Sequence, residues 1–340
     1  MTTRKSEISL LNILMCMLVI FVHVLSWTLG DMDKSSVQYG VMLISSRLSQ
    51  FVVQGFIFLS AVKLFSSKKE ADYEKFLAGR YKRVVLPYIA WVLVYYAYFI
   101  KTYGYTFSLS KLGEYLIFGT ICSHFYFVII IMQFYLNMPL FKWLTKRVNA
   151  AVLCALSVAF TALFKQYVHF QYDDRVFPAY LCYFVIGAAV GMHYEKVVAW
   201  LKRRFYVTIA PFLAFAYLDA FFTYRAQVHG ITFRYIEVVH LLYCISATAF
   251  FFGIFTALAN GKKLPAFLAV IDRASYSIYL AHVLFIYIAN ATAQTVGISG
   301  MAQKLIFRTV FTYVITVGLC TAFAIVSEKI KNGKQTSRTV

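Results

Sequence analysis

Long apolar runs, separated by short polar interruptions, set the pattern of this chain. Ten of them, over about 8–29, 41–65, 84–100, 123–144, 149–166, 176–195, 205–222, 236–259, 267–289 and 303–326, are filled with Leu, Ile, Val, Phe and Tyr. At ~1.5 Å of rise per residue, a helix over each run approaches or exceeds the ~30 Å hydrocarbon core of a bilayer. The pattern therefore predicts an all-α fold, a polytopic integral membrane bundle of about ten transmembrane helices. The first run is too long for the apolar region of a signal peptide and no small-residue cleavage site follows it, so it is expected to stay as a membrane helix. Between the third and fourth runs, the segment 101–122 contains an amphipathic stretch from Lys111 that is expected at the membrane surface.

Composition strengthens the picture. The 340 residues are 61% hydrophobic and only 14% charged, more apolar side chain than a water-soluble domain can cover. The formal net charge of +19 does not point to nucleic acid, because Lys and Arg are not gathered into a continuous groove. They lie in short connections between the runs. Those following the even-numbered runs, with the two termini, hold Arg4, Lys68, Lys69, Lys142, Lys146, Lys202, Arg203, Lys262 and Arg338, and each is richer in cations than its neighbours. The positive-inside rule then puts both termini in the cytoplasm. Six scattered cysteines show neither a CxxC nor a Cys/His spacing, so no metal site and no disulfide framework is expected.

Polar side chains inside the runs are costly and mark a buried site or a buried pair. In the first run Asn12, Cys16, Val19, His23 and Ser26 alternate spacings of four and three, which aligns them on one stripe of a helix. The 11 residues from Asn12 to His23 cover roughly 16 Å of axis. A lone His23 would fit a hydrogen bond to a neighbouring helix as well as a reactive role. Arg47, Gln50 and Gln54 form a second stripe, which is either the lining of a polar cavity or, for Arg47, an ion pair with Glu237 or Asp219. His124 and Tyr126 open the fourth run, and His282 sits near the middle of the ninth within "ASYSIYLAHVLFIY". These six residues, Arg47, Gln50, Gln54, His124, Tyr126 and His282, are expected to line a polar path between the helices. On the predicted cytoplasmic face, Arg80 and Arg83 in "FLAGRYKRVVLPYIAW" are three apart, so on a helix they face one way as a fork for phosphate oxygens.

Taken in order, His23, "FIFLSAVKLF", "RYKRVVLPYIAW", "HFYFVIIIMQFYLNMPLF" and "SYSIYLAHVLF" resemble the acyltransferase-3 family of bacterial membrane O-acyltransferases over nearly the whole length. The resemblance implies one transmembrane domain over 1–340 in the bacterial cytoplasmic membrane. It also implies transfer of an acyl group, acetyl or succinyl, from cytoplasmic acyl-CoA to a sugar hydroxyl of a cell-envelope polysaccharide or its precursor. Acyl-CoA would be a co-substrate, with no bound cofactor. Membrane lipid and a cell-surface glycan would be partners, with room for a glycosyltransferase. Residue by residue, His23 matches the family's essential histidine, and Arg80 and Arg83 match the pair held to bind CoA. Asn12 stands where the family has an arginine at the donor position, and Ala61 replaces a glycine after Ser60. A non-catalytic polysaccharide exporter is the competing reading, supported by the polar stripes, the many aromatic rings and the missing charge at Asn12.

Overall fold

The computed structural model describes residues 5–67 and 72–336, with side chains through 330. Of the charges used above, Arg4, Lys68, Lys69 and Arg338 lie outside the described residues. Every apolar run becomes helix. The helices are α1 (Ser6–Leu29), α2 (Val37–Ser49), α3 (Val52–Phe65), α4 (Tyr73–Arg80), α5 (Leu86–Tyr103), α6 (Leu109–Phe118), α7 (Tyr126–Leu136) and α8 (Met138–Arg147). They continue with α9 (Ala150–Tyr167), α10 (Leu181–Met192), α11 (Tyr194–Arg204), α12 (Ile209–His229), α13 (Ile236–Ala259), α14 (Ala266–Thr295) and α15 (Met301–Thr336). Local chemistry sets many of the ends. The Ser36 hydroxyl caps α2 by accepting from Tyr39 N, and the Asn149 side chain caps α9 by accepting from Ala151 N. Gly104 closes α5 in the left-handed region at φ 69°.

Among the described residues, eight helical segments are long and apolar enough to cross a membrane. A ninth is α6 with 123–136 taken together, a pair bent by 52°. The sixth run appears as Phe177–Met192, a 3-10 turn leading into α10 and shorter than the others. Multi-pass membrane architecture follows from these lengths.

Three runs differ locally from the expected straight spans. The second is interrupted at Gln50 and Phe51, so Arg47, Gln50 and Gln54 do not share one unbroken helical stripe. The fourth breaks at Asn137, where Pro139 sits in the first turn of α8 and cannot donate to the preceding helix. Before α5 the backbone opens into a π turn, Tyr81–Val85.

By internal contacts the chain forms two units. The first comprises Met1–Val52, Leu201–Phe233 and Ser246–Val340; the second comprises Val53–Trp200 and Arg234–Ile245. In the first, α1 packs on α14, α2 and α15, and α12 packs on α2. Gly40 of α2 makes room for the Tyr224 ring of α12, which a Cβ would meet at 2.8 Å. Lipid tails are as apolar as Leu, so helices in a bilayer associate through close packing rather than escape from water. The second unit shows the consequence. Gly187 and Gly191, four apart on α10, face α3: a Cβ on Gly187 would meet Ala61 Cβ at 2.9 Å, and one on Gly191 would meet Phe65 Cβ at 2.9 Å. Ala61 is fully buried, and its methyl fits because Gly187 has none. The stacked rings of Phe134 and Phe184, 4.3 Å apart, continue this core.

Candidate active site

The stripe predicted on α1 finds its counterpart on α14. Asp272, Ser275, Tyr279 and His282 recur at spacings of three, four and three, so they too share a helical face. The two helices run in the same direction and match polar group to polar group. Ser9 Oγ donates to Asp272 Oδ2 at 2.8 Å, and Asn12 Nδ2 donates to Asp272 Oδ1 at 2.7 Å and reaches Ser275 Oγ at 2.9 Å. One turn on, Cys16 Sγ lies 3.5 Å from the Ser275 carbonyl. Further along the same seam the rings of His23 and His282 meet, with centroids 5.0 Å apart and planes inclined by 51°.

The two imidazoles are not equivalent. His282 is fully buried, and its Nδ1 lies 2.7 Å from the Tyr279 carbonyl. A carbonyl oxygen only accepts, so Nδ1 carries the proton and Nε2 keeps the lone pair in the neutral ring. His23 retains an accessible edge. Chemically, the seam offers one reachable imidazole backed by a second of fixed tautomer.

Asn12, expected at the donor, has its amide nitrogen engaged with Asp272 and Ser275 inside the seam. An arginine at this position would face the Asp272 carboxylate. The neutral amide keeps the hydrogen bond and gives up the charge.

Arg47 takes the ion-pair alternative. Its Nε lies 3.1 and 3.2 Å from the two carboxylate oxygens of Asp219, Nη2 lies 3.1 Å from Oδ1, and Asp219 is fully buried. Gln50 accepts from Arg47 Nη1 at 3.4 Å. Glu237, the other candidate counter-charge, is 3.8 Å from Lys165 in the second unit.

The remaining predicted residues lie in the second unit. Arg80, the last residue of α4, is stacked over the rings of Phe76 at 5.0 Å and Tyr135 at 4.8 Å. Arg83 is exposed on the π turn. A π turn distributes residues over a wider circle than an α turn, so the expected same-facing fork becomes one anchored and one exposed guanidinium. Gln54 is buried in α3. His124 is 2% exposed in the 3-10 turn before α7, packed on Phe125 at 4.3 Å and Tyr95 at 5.9 Å, which makes it part of an aromatic core rather than an open lining. Tyr126 neighbours Tyr180, with ring centroids 6.4 Å apart.

Sequence reasoning missed Asp272, although it precedes His282 by nearly the distance that separates Asn12 from His23. It also missed Arg308, a cation two turns into the last apolar helix. Arg308 is 6% exposed and donates from Nε to Asn290 Oδ1 at 2.6 Å and from Nη1 to Thr28 Oγ1 at 2.8 Å.

The pattern of the acyltransferase-3 family, described as "Acyltransferase domain", matches residues 6–325. YfiQ of Bacillus subtilis strain 168, named as a membrane-bound acyltransferase, is 22% identical over 298 residues, 83% of this chain and 81% of the relative. A protein of Staphylococcus aureus strain MRSA252 named as a poly-beta-1,6-N-acetyl-D-glucosamine export protein is 24% identical over 298 residues, 82% of this chain and 81% of that one. Its namesake in Staphylococcus epidermidis is 23% identical over 300 residues, covering 83% and 81%. No solved structure matches. With the match running from the start of α1 into α15, the chain belongs to the acyltransferase-3 family.

Proposed function

We propose that this protein moves an acetyl or succinyl group from cytoplasmic acyl-CoA to a sugar hydroxyl of a cell-envelope polysaccharide or its precursor. It would do so in the bacterial cytoplasmic membrane, through ten spans with both termini in the cytoplasm. The observation that carries this reading is the contact of an accessible His23 with a buried His282, in a chain of this family. A neutral imidazole near pH 7 is suited to general base catalysis. His23 takes the proton of the attacking hydroxyl, the sugar oxygen bonds to the thioester carbon, and the carbon–sulfur bond breaks. The same proton then passes from His23 to the departing CoA sulfur, leaving a neutral ring, an ester and CoA thiol. His282, held by the Tyr279 carbonyl, keeps the His23 ring in place and faces it with a second polar ring. Arg80 and Arg83 serve the CoA phosphates, which guanidinium binds in a bidentate way that lysine copies poorly.

A second reading, glycan export without acyl transfer, is favoured by the names of the staphylococcal relatives and by the neutral amide at Asn12. One experiment separates the two. Purified protein in liposomes is given acetyl-CoA or succinyl-CoA, with and without envelope glycan, and CoA release is followed. Glycan-stimulated release that falls by about 10²–10⁴-fold in His23→Ala is the expected result. No release from either donor by folded protein would replace acyl transfer with export.

A further inference from the structure

Arg308, Asn290 and Thr28 sit together where α1 and α14 end and α15 begins. Thr28 is in the last turn of α1, Asn290 is five residues before the end of α14, and Arg308 is seven residues into α15. The hydrogen bonds here can be followed group by group. The Thr28 hydroxyl donates to the Val24 carbonyl at 3.1 Å and accepts from Arg308, so its one donor is used. The Asn290 oxygen is taken by Arg308 Nε. Because a guanidinium has no acceptor atom, that contact also fixes which end of the Asn290 amide is oxygen. Its nitrogen, Nδ2, is then left buried with no hydrogen-bond partner among the described residues.

The charge is left open as well. Among the described residues no carboxylate forms an ion pair with Arg308. Asp31, exposed in the turn after α1, attracts it only from a distance. Charged side chains inside a membrane bundle are ordinarily paired. Here both partners of the guanidinium are neutral oxygens, and what remains unspent in the cluster is donor capacity: Arg308 Nη2 and Asn290 Nδ2. Beyond the cluster the same face of α15 stays polar, with fully buried Thr312 and Thr316 at four-residue spacing.

We propose that Arg308 and Asn290 form a binding site for one oxyanionic group, a carboxylate or a phosphate, at this end of the first unit. A guanidinium beside an amide N–H matches two oxygens of such a group, and the ligand supplies the negative charge the protein omits. The site is distinct from the His23–His282 contact: Thr28 lies five residues beyond His23, about 7.5 Å along the helix axis. The inference does not depend on acyl transfer, because binding is read without turnover.

The test uses the full-length protein in an uncharged detergent. Its thermal unfolding midpoint is titrated with sodium phosphate and with sodium succinate, against sodium chloride at equal ionic strength. In parallel, the midpoint is compared in phosphatidylcholine nanodiscs with and without phosphatidylglycerol. The wild type should show a saturable rise of about 2 °C or more with at least one oxyanion over its control. A response to a soluble anion identifies a free carboxylate or phosphate as the occupant; a response confined to phosphatidylglycerol identifies a lipid headgroup. Arg308→Gln should lose the response. Asn290→Asp places a carboxylate beside the guanidinium, so it should raise the ligand-free midpoint and also lose the response. If Arg308→Gln does not fold, Asn290→Asp decides alone. No oxyanion shift in the wild type, or a wild-type response retained in Asn290→Asp, overturns the proposal.

Discussion

Arg47 and Arg308 are two guanidinium groups held within the helices of the first unit, and their surroundings are opposite. Arg47 on α2 meets a fully buried carboxylate on α12, with three N–O distances of 3.1–3.2 Å. Among the described residues, Arg308 on α15 meets only an amide oxygen and a hydroxyl. In sequence Arg47 stood in a polar stripe with Asp219 or Glu237 as possible partners, whereas Arg308 went unread. What separates them is the partner on another helix, far away in the chain. A closed pair such as Arg47–Asp219 holds helices together and has no charge left for a ligand. The seam of α1 and α14, by contrast, ends in an accessible histidine, and the Arg308 cluster keeps donors unspent.

The closed pair gives the largest expected effect. Asp219→Ala leaves the Arg47 charge buried without its partner, which costs about 3–5 kcal/mol in buried pairs. Replacing both residues, Arg47→Met with Asp219→Leu, removes the charge with its partner and should recover most of that loss. Thermal unfolding in detergent checks both. Equal destabilisation by the single and double variants would show that the pair is not what joins α2 to α12.

The seam gives an intermediate effect. Asn12→Leu removes two hydrogen bonds, one of them to the buried Asp272 carboxylate, at a cost of about 1–3 kcal/mol. Asn12→Arg restores a cation facing the carboxylate and should fold at least as well as Asn12→Leu. An Asn12→Leu protein as stable as wild type would remove the amide from any structural role. If acyl transfer occurs, comparing the donor KM of wild type with that of Asn12→Arg shows whether the missing charge affects the donor or only the seam.

How much of this was legible in the sequence differs by level. The ten helical runs could be read directly, since apolar length is a one-dimensional property. The α1 stripe could be read from its spacing, because residues three and four apart share a helix face. Breaks within runs were harder: nothing apolar distinguishes Gln50–Phe51 from the rest of its run, while Pro139 gave a usable signal for the break at Asn137. Partners were hardest. Asp272 and Asn12 are 260 residues apart, and Arg308 and Thr28 are 280 apart. Spacing along one helix says which residues share a face but not which helix that face meets. Arg80 and Arg83 were read as facing one way on a single helix, whereas Arg80 ends α4 and Arg83 lies on the π turn before α5.

That turn carries the smallest expected effect on stability and the sharpest contrast between neighbours. Arg83 is exposed, so Arg83→Ala should change the unfolding midpoint by no more than about 0.5 kcal/mol of stability. Arg80 lies over two rings, and cation–π contacts are worth about 0.5–2 kcal/mol according to how far they are desolvated. Arg80→Ala should therefore be the more destabilising of the two. For an acyl-CoA donor the order need not follow stability. An exposed guanidinium gives up no internal contact when it binds phosphate, so Arg83→Ala should raise the acyl-CoA KM while leaving the fold intact. Arg80→Lys keeps the charge over Phe76 and Tyr135 but loses the planar fork. If Arg80→Lys matches wild type in both midpoint and KM while Arg83→Ala raises KM, Arg80 anchors the turn and Arg83 is the phosphate contact. If neither variant changes KM, the closed-versus-open distinction does not extend to this turn, and the pair has no part in donor binding.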